Sequence, residues 1–438
     1  MGEQPVAITG LGVVTPAGVG VEALWEALRA GRRHTRRIDA FDPARFPCPL
    51  GGQIEDFSAR KFVPKSYRKA VKVMARDIEI AVGAADLAFR DADLATIGTD
   101  PDHPALPKER LGCNIGAGLI CTDLDELGVA LTTARGEDGR FSFAEWGAGG
   151  MTNLTPLWLL KYLPNMLSCH VTIIHGTMGP SNCITCGDAS AHLAVGEAAR
   201  LVARRGADAA VAGGAESKLN PMGLMRQTLL KRVAASWDGD PAEACRPFDE
   251  RHCGTVVAEG GGLLILEGLP HAKARGARVY AELAGFGSAQ DPAGMDIESP
   301  NAGSLHLAVR KALDDAGCEP GDVDLVVTHG TGVPGEDACE ARAWGEVLGD
   351  AAADTPAAAI TGSIGSLFAG AGGAELAAAA MAVHTQTIPP TVNHSAPAED
   401  CGLRFLSEPT PADVRVAVSA AFSVGGQCGA CVLKRVEP

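Results

Sequence analysis

The sequence predicts an α/β protein built from two similar halves. Segments with strand and helix periods alternate along all 438 residues. One pattern also occurs twice: strand, Gly-rich turn, Ala-rich helix, strand, first around Asn182 to Gly214 and again around Ile360 to Val392. A third observation concerns the helix after Cys186-Gly187-Asp188. It is apolar or small on nearly every side (Ala191, Ala194, Val195, Ala198, Leu201, Val202), as a helix enclosed on all sides must be.

In chain order, Val6 to Pro16 reads as a buried strand entering a glycine turn, followed by a helix over Val21 to Arg29 with Leu24, Trp25 and Leu28 on one face. Arg32 to Phe62 is rich in Pro, Arg and Asp and is expected to wrap the surface. The 3.6-residue period over Val71 to Phe89 predicts a helix, and Arg110 to Leu119 the next strand. Arg135 to Met166, with Trp146, Trp158 and two prolines, is expected to be a lid or interface insertion.

Asn182 to Thr185 and Gly206 to Glu216 are strands on either side of the central helix. Thr255 to Glu267 carries two apolar runs split by Gly260-Gly261-Gly262, a hairpin signal. Val279 to Gly287 is a strand, Ser304 a cap for a helix over Leu305 to Ala316, and Val323 to Thr328 a strand delivering His329 at its end. Ser363 to Val383 is a turn plus an Ala-rich helix; Val414 to Ser419 and Gly429 to Lys434 close the chain around Phe422-Ser-Val-Gly-Gly426.

Composition excludes several function classes. A net charge of −15 argues against nucleic-acid and anionic-membrane partners, both of which need a basic surface. The most apolar run, Ala374 to Val383, is too short to span a bilayer. The N-terminus has no signal-peptide pattern, and the thirteen cysteines are scattered, so free thiols in a cytoplasmic protein are expected. Cys183-x-x-Cys186 has no second pair, and neither a metal nor a cofactor is expected.

The turn at 186–188 faces the unpaired N–H groups and positive dipole end of a buried helix, a place for a nucleophile or an anion. Asp188 stands there, either as a helix N-cap or as a carboxylate facing a pocket. Cys186 lies two residues earlier, and His329 is either a core histidine or pocket-lining.

Several ordered motifs together resemble the β-ketoacyl–acyl-carrier-protein synthase family, its elongating synthase II branch within the thiolase superfamily. They are Val6-Ala-Ile-Thr-Gly-Leu-Gly-Val-Val-Thr-Pro16, Gly179-Pro-Ser181, Gly213-Gly-Ala-Glu216, Arg246-Pro-Phe-Asp249, Tyr280 to Gly287, His329-Gly-Thr-Gly-Val-Pro334 and Phe422 to Gly426. The resemblance implies a thiolase-like fold, duplicated halves in α-β-α-β-α layers. The N-terminal half is 1–267, with its insertion at about 135–166, and the C-terminal half is 268–438. It also implies a catalyst in which a Cys takes an acyl chain from carrier protein while two His residues promote decarboxylation and condensation.

Carried over by position, the family's Cys falls on Asp188 and its first His on His329, followed by Asp337 and Glu340 at the family's spacing. Its second His falls on Ser366, its Lys on Thr361, its gating Phe on Val424 and an Asn on Cys428. Thr331, Phe422, Val424 and Gly425 are the implied substrate-binding residues. Motifs kept and nucleophile lost resemble the chain-length factor, the non-condensing subunit of type II polyketide synthases. The expected partners are an acyl carrier protein and a Cys-bearing ketosynthase in a heterodimer, or a second copy in a homodimer. The alternative is an active enzyme using Cys186, or Asp188 with His329. Carrier-protein docking is expected at a basic cluster, Arg32 to Arg37 or Lys61 to Lys72.

Overall fold

Ten strands carry the architecture, in a computed structural model describing residues 4–292, 302–399 and 401–437. The first five are β1 (Val6–Thr15), β2 (Leu111–Ala117), β3 (Ser181–Ile184), β4 (Ala209–Ser217) and β5 (Val257–Gly268). The second five are β6 (Ala281–Gln290), β7 (Leu325–Thr328), β8 (Pro356–Ala359), β9 (Val416–Phe422) and β10 (Gln427–Lys434). Their spatial order is β8-β7-β9-β10-β6-β1-β5-β4-β2-β3. Each group of five therefore runs 1-5-4-2-3 in its own numbering, so the duplication extends to topology. The groups meet where β1 and β6 pair antiparallel, Ala7 opposite Glu282 and Ile8 opposite Ala281.

The helices form three layers around these sheets. Helix α1 (Val21–Arg29) follows β1, and α2 (Arg76–Asp91) covers the outer face of the first five strands. Helices α3 (Ser190–Ala203) and α6 (Ala371–Thr385) lie between the two sheets and touch both. Helices α4 (Ala302–Ala316) and α5 (Pro334–Leu348) cover the far face. The result is the α-β-α-β-α sandwich of the thiolase-like fold. In α6 every residue from Ala371 to Val383 is buried, which explains its apolar composition on all sides.

Three local expectations are corrected. Gly260-Gly261-Gly262 makes no hairpin but lies inside the unbroken β5. Its glycines answer a close approach: a Cβ on Gly262 would stand 2.5 Å from the carbonyl carbon of Gly373 at the start of α6. The helix expected from Val71 begins at Arg76, because Met74 and Ala75 are extended and separate it from a single 3₁₀ turn, Ala70–Val73. Ser304 lies within the first turn of α4 and not before it. Among the described residues no helix is long and apolar enough to cross a membrane.

The excursion after β2 lies on the surface. It contains helices Leu124–Thr133 and Phe143–Ala148 and leaves Phe143, Leu157 and Leu159 exposed. Among the described residues, strand β3 ends the sheet order with β2 as its one paired neighbour.

Candidate functional site

Strand β3 feeds a short turn, Gly187–Ala189, that leads straight into α3, and this turn carries Asp188 into the interior. The expected capping role does not hold: the carboxylate accepts no cap hydrogen bond from the helix. It is drawn to charge instead. Its Oδ2 lies 2.7 Å from the Arg232 guanidinium, which is also paired with Glu336, 2.7 Å between Arg232 Nε and Glu336 Oε1, and donates to Gln227 Oε1 at 3.3 Å. His329 Nε2 is 3.6 Å from Asp188 Oδ2, ion-pair range but too long for a hydrogen bond.

His329 is placed by two elements. Strand β7 ends at Thr328, and Glu340 of α5 accepts from the His329 and Gly330 backbone N–H groups at 2.9 and 2.8 Å. The ring's Nδ1 meets Glu375 Oε1 of α6 at 2.9 Å. Phe422 packs edge-on against the imidazole, with ring centroids 5.9 Å apart. Beyond Glu375 stands His192, one turn along α3 from Asp188. Its Nε2 is 3.0 Å from Ser419 Oγ and 3.9 Å from Glu375 Oε2.

Charge is strongly redistributed in this buried cluster. Burial alone would raise the Asp188 carboxyl, but Arg232, and then His329, hold it well below the usual carboxylate range. Burial alone would lower the His329 imidazole, yet Glu375 and Asp188 carry it well above 6.5. His192 has no such support, and burial pushes it down to about 3, leaving it neutral. Glu340 is raised to about 7, mainly by burial.

Asp188 and Arg232 form part of the wall of a cavity of about 680 Å³. Cys186, Val424 and Gly425 also line it, with Leu119, Leu230 and Phe368. Phe368 holds a left-handed backbone (φ 51°) and lies beneath two cations, Arg232 at 5.6 Å and Lys218 at 5.9 Å from its ring centroid.

The structure therefore gathers Asp188, Cys186, Val424 and Gly425 at one cavity and sets His329 behind Asp188, fully buried and off the wall. Thr331 is also off it; its hydroxyl accepts from the Val333 N–H at 3.2 Å, inside the loop it stabilises. Phe422 is spent on His329. Ser366 is buried between Val256 and Ala258, bonded through its backbone, while its hydroxyl has no partner among the described residues. No group of three or more metal-ligating side chains occurs among the described residues.

The sequence reading missed Arg232. It lies 44 positions after Asp188 in an irregular stretch following helix Pro221–Leu229, with no local pattern to mark it. The available signal was chemical: a carboxylate at the head of an enclosed helix requires a cation from elsewhere in the chain.

Comparisons with known proteins place the chain in a family. The model described as "Beta-ketoacyl synthase, N-terminal domain" matches residues 3–272, and "Beta-ketoacyl synthase, C-terminal domain" matches residues 280–395. A 3-oxoacyl-[acyl-carrier-protein] synthase 2 of Coxiella burnetii is 31% identical over the full length of both chains. Among solved structures, "The ishigamide ketosynthase/chain length factor" is 28% identical with TM-score 0.84. A type II polyketide synthase acyl-carrier protein in complex with its ketosynthase bound to the hexaketide gives 25% and 0.85. Each of these two covers 99% of this chain and 100% of its own.

Proposed function

Because this chain belongs to the β-ketoacyl synthase family, we propose that it serves fatty-acid or polyketide synthesis as a non-condensing subunit beside an active ketosynthase. The observation that carries this reading is Asp188, buried and ion-paired to Arg232 where the family keeps its Cys. A carboxylate held ionised by a guanidinium is a poor acyl acceptor, and an acyl-aspartate would leave Arg232 and Glu336 without their third charge. The second His position, Ser366, offers no imidazole for decarboxylation.

The partner surface is argued from the sheet. Strand β3 ends the order with one edge unpaired, and Leu119, Met178 and Leu229 are exposed. An open strand beside exposed apolar side chains suits a permanent partner. A Cys-bearing ketosynthase of the same fold presents the matching edge, as the ketosynthase/chain length factor neighbour suggests.

Carrier-protein docking is assigned to the second of the two basic clusters. Arg36 of the first is already paired with Asp39 and Glu55. Arg60, Lys61, Lys65, Arg68, Lys69 and Lys72 are all exposed, and among the described residues none has a carboxylate within ion-pair distance. A cationic surface on a chain of net charge −15 suits an acidic carrier protein.

A second reading rests on Cys186, which lines the cavity. Burial raises its thiol with no cation opposing the shift, which disfavours the thiolate that acyl transfer needs. One experiment separates the two. The chain is co-expressed with a Cys-bearing homologue, and the product is incubated with acyl–carrier protein and weighed intact. A 1:1 complex with acyl mass on the partner alone supports the non-condensing subunit. An acyl adduct on this chain, abolished by Cys186→Ala, overturns it in favour of the enzyme.

A further inference from the structure

A second cavity, of about 510 Å³, shares no wall residue with the one beside Asp188. Strand β4 stands between them: Glu216 faces the first and Ser217 the second, as successive residues of a strand do. Both cations in the wall of the second cavity are spent. Arg76 forks onto Glu259 at 2.9 and 3.0 Å, and Lys161 meets Glu126 at 2.5 Å, where Tyr162 also donates. The carboxylates of the wall are not. Among the described residues no cation lies within ion-pair distance of Asp77, Asp123 or Asp125. Asp123 and Asp125 are exposed; Asp123 caps helix Leu124–Thr133, whose dipole offsets only about half a charge. Asp77, on α2, is 4% exposed and accepts from the Ser217 N–H at 3.1 Å, a hydrogen bond but not a counter-charge. Lys218 acts on it from beyond ion-pair distance and is itself paired with Glu216. A buried carboxylate on a cavity wall with no cation beside it is a binding group for one.

We propose that this second cavity binds a small organic ammonium ion, its charged head on Asp77 and its apolar body against Phe41, Met74 and Leu219. All four residues line the cavity, whose volume is that of a small-molecule site. The exposed Asp123 and Asp125 draw a cation toward it. A bare metal ion fits less well, because among the described residues no group of three or more metal-ligating side chains occurs. Burial, and then Glu216, raises the Asp77 carboxyl to about 7 against the pull of Lys218, so a bound cation supplies the charge that its surroundings lack. The other ionisable groups near it are Cys121 after β2, Glu259 on β5, and Arg76 and Glu79 on its own helix. Helix Met166–His175 also packs on α2, and its His170 and His175 are bonded to Tyr67 and Thr96. The turn Ala59–Lys61 at the same helix carries Arg60 and Lys61, both exposed. The site lies apart from Asp188, and the inference stands whether or not the chain condenses.

The test is calorimetric titration of the full chain, or of its co-purified complex, with phenethylamine and with 2-phenylethanol, its uncharged counterpart. At pH 8 the Asp77 carboxyl is ionised and the amine is still an ammonium ion. Phenethylamine binding at least about ten-fold tighter than 2-phenylethanol, with that preference lost in Asp77→Asn, establishes the site. Asparagine keeps an acceptor for the Ser217 N–H, and thermal melting checks that the variant is folded. If it is not, the unaltered chain at pH 6 decides. Protonation of Asp77 there should cut the preference by at least about five-fold. Equal affinity for the two probes, or no binding of either, overturns the proposal. So does a preference kept in folded Asp77→Asn or, where that variant does not fold, one that is the same at pH 6 and pH 8.

Discussion

Asp188 and Arg232 stand 2.7 Å apart at the wall of the central cavity, both nearly inaccessible to water, and each answers the other's burial. A paired buried charge contributes modestly relative to an apolar isostere, but removing one member strands the other. Asp188→Asn should therefore cost about 3 kcal/mol of unfolding free energy, measured by urea denaturation. Arg232→Met should cost at least as much, because it leaves Asp188 and Glu336 together with no cation between them. A loss below about 1 kcal/mol for both would show that water enters the cluster.

The same pair sets the acid limb of stability. The Asp188 carboxyl lies below its unfolded value near 3.9, so its contribution is present above about pH 4 and is lost as pH falls toward the folded value. The His329 imidazole is shifted upward, so its contribution is complete below about 6.5 and is lost only as pH rises through its elevated folded value. Both are in force between about pH 4 and 6.5. Unfolding curves from pH 3 to 7 should show a steeper acid loss for the wild type than for Asp188→Asn, and parallel slopes would refute the assignment.

Restoring sulfur at this position should restore reactivity without restoring condensation. In Asp188→Cys the thiol would stand beside Arg232, whose guanidinium favours the thiolate. Its alkylation by iodoacetamide at pH 7 should outpace that of Cys186, whose thiol is raised by burial. Ser366 and Thr361 still replace the His and Lys expected from the family pattern, so an acyl adduct without β-ketoacyl product is the expected mass-spectrometric outcome. Formation of β-ketoacyl product would show that one imidazole suffices.

These predictions depend on features of unequal legibility in the sequence. The strand, turn and enclosed helix around Asp188 could be read because glycine, alanine and apolar spacing are local signals, and the repeated pattern anticipated the 1-5-4-2-3 duplication. The ion-pair network could not, since Arg232, Glu336 and Glu375 converge from three distant segments with no shared period. Gly260 to Gly262 carried a real signal that was assigned the wrong cause. Runs of glycine mark tight turns and also strands pressed by a helix backbone, and composition alone does not separate the two. His192 gave no signal because a histidine on an apolar helix looks like any core residue until its neighbours are known.

Charge reversal tests the docking surface. Lys65→Glu with Lys69→Glu should weaken carrier-protein binding by about ten-fold or more at low ionic strength, with the difference shrinking as salt is added. Arg32→Glu with Arg33→Glu, in the other cluster, should change affinity much less. Equal effects from the two pairs would mean that long-range attraction to net charge, and not a docked surface, governs the encounter.

The contact between His192 and Gly372 supplies a test of the central layer. The two inner helices approach closely enough that a Cβ on Gly372 would overlap the His192 ring, 2.8 Å from Cε1. That ring is anchored by Ser419 and has no free direction in which to move, since the helix around it is buried. Gly372→Ala should therefore destabilise the protein by about 2 kcal/mol, although alanine is the better helix former by up to about 1 kcal/mol. In a His192→Ala background the clash with the ring disappears, only the Ala191 Cβ at 3.1 Å remains, and the same substitution should cost much less. A double-mutant cycle read by urea unfolding should thus give a coupling of at least about 1.5 kcal/mol. Additive effects would mean that α3 and α6 separate enough to admit the methyl group.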